Sequence, residues 1–104
     1  MEEIKNLIFK LLKKKPDWIS TIDEKEINVN YNDDISLSIY NYNGFEYQLR
    51  INNFCFTDEL SEREFMEMKW KLSDWRDVLE KEAISKLSEF VDSPNGTMDD
   101  LLND

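Results

Sequence analysis

The sequence predicts an α+β fold: an N-terminal helix, a three-stranded antiparallel meander, then one long kinked helix or two helices packed on one face of the sheet. Three observations predict it. Apolar residues recur at helical spacing over the first twelve positions, alternate with a period of two between Ile27 and Ile51, and return to helical spacing after Ser61. At 104 residues with 40% hydrophobic residues and only two glycines and two prolines, the chain is read as one packed domain over residues 1–92, followed by a flexible acidic tail over 93–104.

Ile4, Leu7, Ile8, Leu11 and Leu12 form the stripe of the first helix, with Glu2 and Glu3 at its start, Lys13 to Lys15 at its end and Pro16 closing it. The helix dipole is a sufficient reason for those lysines. Trp18, Ile19 and Ile22 fall in a linker, and three strands follow. The first holds Ile27, Val29 and Tyr31, the second Ile35, Leu37 and Ile39, and the third Phe45, Tyr47, Leu49 and Ile51.

Register decides which face is apolar. A two-residue turn at Asn43-Gly44 would set Leu37 against Arg50, whereas a three-residue loop Tyr42-Asn43-Gly44 pairs Leu37 with Leu49 and Ile39 with Tyr47. The second register is preferred. A matching loop Asn32-Asp33-Asp34 pairs Val29 with Leu37 and Ile27 with Ile39, so one face is apolar and takes the helices. The other carries Asn28, Asn30, Ser36, Ser38, Tyr40, Glu46, Gln48 and Arg50 and stays open to water.

The third strand is read as running on through Phe54, Cys55 and Phe56, which makes Cys55 a buried, inert thiol. Ser61 and Glu64 have capping-box spacing, with Leu60 and Phe65 placed to staple the helix start. The stripe Phe65, Met68, Leu72, Trp75, Leu79 then leads into a second apolar face. A continuous helix to residue 92 would run roughly 45 Å, about twice a six-residue strand, so a break is expected at Ser73-Asp74. Glu67 with Lys71, Arg76 with Glu80, Asp77 with Lys81 and Glu82 with Lys86 are spaced to pair along its surface.

Charge narrows function. The chain carries 23 acidic and 13 basic residues, a net charge of −10, and has no histidine. Direct binding of nucleic acid is disfavoured, and nucleophilic dyads or zinc sites built on imidazole are excluded. There is no phosphate-cradling glycine loop, and no carboxylate pair stands out as acid and base, so the chain is read as a non-enzyme without cofactor or metal. No segment has the length of apolar sequence that a membrane span needs, and a cytoplasmic location with no membrane partner is expected.

The strand 1 to strand 2 turn and the exit of strand 3 fall at one end of a three-stranded meander. Asp33, Asp34, Asp58, Glu59 and Glu62 are therefore expected to cluster there, the two groups on the order of 10 to 15 Å apart. Such a field suits a basic protein partner. Trp70 lies between stripe positions and is expected partly exposed, able to anchor a partner.

The element order together with the Asp33-Asp34 turn and the acidic segment Asp58-Glu59-Leu60-Ser61-Glu62 resembles certain small anti-CRISPR proteins of phages, over roughly residues 1–92. The resemblance implies an inhibitor that occupies the basic nucleic-acid site of a nuclease, with carboxylates standing in for phosphates and Tyr40, Tyr42 and Glu46 adding contact area from the open face. Two other readings stand beside it: an immunity protein neutralising a nuclease toxin, and a homodimeric assembly or adaptor protein pairing through its long helix.

Overall fold

The computed structural model describes residues 2–92. The architecture is α+β, with α1 (Glu2–Leu11), five strands, β1 (Trp18–Ile22), β2 (Glu26–Asn30), β3 (Ile35–Asn41), β4 (Phe45–Ile51) and β5 (Phe54–Leu60), and α2 (Glu62–Val91). The strands form one antiparallel sheet in the order β1-β2-β3-β4-β5. The expected tail over 93–104 lies outside the described residues.

Both preferred loops are present. Ile35, Leu37, Ile39 and Asn41 pair with Ile51, Leu49, Tyr47 and Phe45, and Val29 and Ile27 pair with Leu37 and Ile39. Gly44 closes the β3–β4 loop at φ +143°, where an L side chain is strained. The Asn32 side chain accepts from the backbone N–H of Asp34 and Ile35 at 2.8 and 2.9 Å, which holds the β2–β3 loop.

The strand count is five, not three. Trp18–Ile22, expected as a linker, is edge strand β1, joined to β2 by a turn in which Asp23 and Glu24 take positive φ. The expected continuation of the third strand is instead a reversal at Asn52-Asn53, with Asn52 at φ 54° and its N–H donating to the Asp34 carbonyl at 2.8 Å. Asparagine tolerates the left-handed region, so the chain turns there without glycine. Every residue of β5 therefore runs opposite to its expected direction. Cys55 lands on the open face, exposed, accepting from Gln48 Nε2 at 3.1 Å, not buried as expected.

One apolar cluster joins Ile27, Val29, Leu37, Ile39, Tyr47 and Leu49 of the sheet to Ile8 and Leu12 beside them and to Phe65, Met68 and Leu72 of α2, so both helices cover the same face. Trp75 donates its indole N–H to the Leu12 carbonyl at 2.8 Å, tying α2 to the end of α1. The capping box at Ser61 and Glu64 forms as expected, and its backbone hydrogen bond to Ser61 holds the Glu64 carboxyl below its ordinary pKa.

The expected break at Ser73-Asp74 does not occur: α2 is continuous for 30 residues. Both side chains are exposed and neither caps a new start, and the helix overruns the sheet instead of folding back over it. Of the expected surface pairs only Glu67 with Lys71 forms an ion pair, at 3.7 Å. Arg76 turns to Thr21 Oγ1 at 2.8 Å and Glu82 to Lys15 at 2.5 Å, because tertiary partners are in reach.

Among the described residues the buried Tyr31 hydroxyl has no hydrogen-bond partner, and desolvation pushes its pKa up to about 12. Its folded value lies above the unfolded value of about 10, so this contribution to stability is complete below pH ~10 and is lost as the pH rises through about 12. Tyr31→Phe removes a buried polar atom that no described residue satisfies. The variant is expected to match or exceed the parent in urea denaturation at pH 7, and to lose stability less steeply between pH 10 and 12. A steeper loss in the variant would contradict that assignment.

Candidate functional site

With five strands in register, the open face resolves into rows that cross the whole sheet. One row holds Trp18, Asn30, Ser36, Arg50 and Cys55, and the next Ser20, Asn28, Ser38, Gln48 and Thr57. The third, nearest the Gly44 loop, holds Ile22, Glu26, Tyr40, Glu46 and Glu59. Strands lie about 4.8 Å apart, so Glu26 and Glu59 are separated by roughly 14 Å, with Tyr40 and Glu46 between them.

Polar contacts order this surface. Tyr42 donates to Glu26 Oε1 at 3.3 Å, and Asn28 donates to Glu26 Oε2 at 2.9 Å. Tyr40 donates to Gln48 Oε1 at 2.9 Å, and Ser38 to Asn28 Oδ1 at 2.6 Å. The Tyr40 and Tyr42 rings stand 6.3 Å apart, tilted by 33°. Desolvation first, and then the Glu26 carboxylate, push the Tyr42 hydroxyl above its ordinary pKa, so it remains a donor.

Glu46 and Glu59 face one another directly across β4 and β5, both exposed. Like charges so placed oppose the pairing of the strands. Among the described residues, no lysine or arginine forms an ion pair with Glu26, Glu46 or Glu59.

The expected acidic cluster is divided. Asp33 and Asp34 sit at the end of the sheet where Asn52 meets Asp34, while Asp58, Glu59 and Glu62 lie at the opposite end, because β5 returns along the full length of β4. Glu59 joins Tyr40, Tyr42 and Glu46 at that end. Asp58 belongs to the row of Tyr47 on the helix-covered face, where desolvation first, and then the Asp58 carboxylate, raise the Tyr47 pKa. Glu62 opens the first turn of α2, where its charge suits the dipole.

Trp70 is 71% exposed on α2, in a hollow of about 510 Å³ with Met66 and Asp74, in the helix layer away from the open face. Glu26 was missed by sequence reasoning. It lies one residue before the apolar alternation of β2, and only the pairing of Ile27 with Ile39 reveals that Glu26 falls opposite Tyr40.

Among the described residues no group of three or more acids or cysteines is placed to hold a metal ion, and no helix is long and apolar enough to cross a membrane. Comparison with protein-family models, curated proteins and solved structures gave no match.

Proposed function

We propose that this chain is a non-catalytic acidic inhibitor that occupies the basic site of a nucleic-acid-binding enzyme, with carboxylates where phosphates would sit. The anti-CRISPR class that its layout resembles is the narrower form of this reading, and a nuclease is the narrower form of the partner. The observation that carries it is the row Glu26, Tyr40, Glu46, Glu59 on the sheet face opposite the one that α1 and α2 cover. Three carboxylates without cationic partners among the described residues present a field that a basic surface neutralises, and two tyrosines supply rigid contact area at small entropic cost.

The opposed pair Glu46 and Glu59 supports the same reading, since it works against folding and is explained by a partner. An immunity protein that neutralises a nuclease toxin would use the same surface chemistry, and the identity of the partner separates the two.

The test is a pull-down from a lysate of the native host at low and raised salt. Recovery of a basic nucleic-acid-binding protein is expected, weakened by salt, lost on combined Glu26→Lys, Glu46→Lys and Glu59→Lys substitution, and kept when Asp33 and Asp34 are reversed. Loss through Asp33 and Asp34 alone would place the contact at the other end of the sheet and overturn the proposal.

A further inference from the structure

The helix α2 overruns the sheet it covers. Its buried residues stop at Leu72, yet the helix continues to Val91, and Ile84, Leu87 and Val91 stand 61, 56 and 53% exposed. From Glu80 onward that is twelve residues or roughly 18 Å of helix, in which Glu82 pairs with Lys15 but no residue is fully buried, and a helix so short draws little stability from its own hydrogen bonds.

These three residues are one end of a longer pattern. Stepping back alternately by three and four residues from Val91 reaches Glu80, Asp77 and Ser73 and ends at Trp70 and Met66, and every one of these positions is exposed. Alternating steps of three and four are the spacing of a coiled-coil seam. The seam lies about a third of a turn round α2 from Phe65, Met68 and Leu72, which face the core.

We propose that this seam is the interface between two copies of the chain, with α2 packed antiparallel against α2 of the second copy. The pattern is self-complementary about its midpoint, as a two-fold interface requires. In the antiparallel register Met66 meets Val91, Trp70 meets Leu87 and Ser73 meets Ile84 of the other copy, so the exposed tryptophan and the apolar overhang cover one another. Charge fits the same register: the flanking Asp74 of each copy falls opposite Lys81 of the other, forming two ion pairs across the seam.

The central layer sets Asp77 against Glu80, which opposes association in a chain of net charge −10. Added salt therefore tightens this dimer. The acidic sheet face should respond in the opposite way to salt, so the two surfaces are separable by one variable. The dimer does not depend on the function proposed above.

Sedimentation equilibrium of the full chain over a concentration series tests it. The expected result is reversible association from 12.5 kDa to twice that mass, tightened by salt. Leu87→Asp is expected to weaken it by at least about tenfold without loss of folding, since the side chain is exposed in the single copy. Glu80→Leu is expected to strengthen it. Asp74→Lys and Lys81→Asp should each weaken the dimer and together restore it, which nonspecific aggregation would not do. A monomer at all concentrations, a dimer indifferent to Leu87→Asp, or a failure of the paired charge exchange to restore association would overturn the proposal.

Discussion

Replacing Phe65 with alanine is expected to destabilise the protein by about 3 to 5 kcal/mol, a large part of the 5 to 15 kcal/mol typical of a domain this size. Phe65 is 2% exposed and its ring lies 5.0 Å from that of Phe45, tilted by 42°. Phe45 in turn pairs with Leu60 across β4 and β5, one residue before the Ser61 cap. Leu60 and Phe65 occupy the two positions of a hydrophobic staple, so the ring both fills core and fixes the angle at which the chain enters α2. Truncation removes the transferred apolar surface, leaves a cavity and breaks an aromatic pair. Phe54→Ala provides the contrast, since Phe54 is 68% exposed and its loss should change stability by less than about 0.5 kcal/mol. Urea midpoints of the two variants should separate widely, and a loss below about 1 kcal/mol at Phe65 would mean that the staple is not the hinge of the fold.

Glu46→Lys is expected to act in opposite directions on folding and on binding. In the free protein it converts the opposed pair with Glu59 into an ion pair across adjacent strands, worth up to roughly 1 kcal/mol in added stability. Toward a basic partner it places a cation in the centre of the acidic row, and affinity should fall by about tenfold or more. With Glu26 and Glu59 also reversed the loss should reach at least about a hundredfold, near 2.7 kcal/mol. A thermal melt and a binding titration on the same preparation check both signs. If Glu46→Lys lowers stability and leaves binding unchanged, Glu46 serves the sheet and not a partner.

Much of the fold was legible because the strongest signals are periodic. The stripe of α1 and the capping box at Ser61 and Glu64 are local patterns, the alternation from Ile27 to Ile51 repeats over three short strands, and the pairing of β2, β3 and β4 follows from keeping one face apolar. What escaped were turns without glycine. Asp23 and Glu24 adopt positive φ between β1 and β2, and Asn52 does so between β4 and β5, where neither proline nor glycine marks a reversal. The short inward set of β1, Ile19 and Thr21, carries too little alternation to reveal a strand.

The candidate site was half legible for the same reason. Tyr40 and Glu46 were placed on the open face by register alone, but the reversal at Asn52-Asn53 moves Glu59 onto that face and separates it from Asp33 and Asp34. A single turn thus relocates the acidic surface from one end of the sheet to the other. The continuous α2 was hidden differently: its length exceeds what the sheet can cover, and local sequence does not reveal that a helix will project beyond its own core.

Competition for the basic partner tests the central claim most directly. The recovered partner would be loaded with a labelled oligonucleotide and the full chain titrated in, with fluorescence anisotropy reporting release. The expected result is complete displacement, competitive with oligonucleotide concentration, weakened by salt and abolished by reversal of Glu26, Glu46 and Glu59. A ternary complex in which chain and nucleic acid bind together, with anisotropy rising instead of falling, would contradict it.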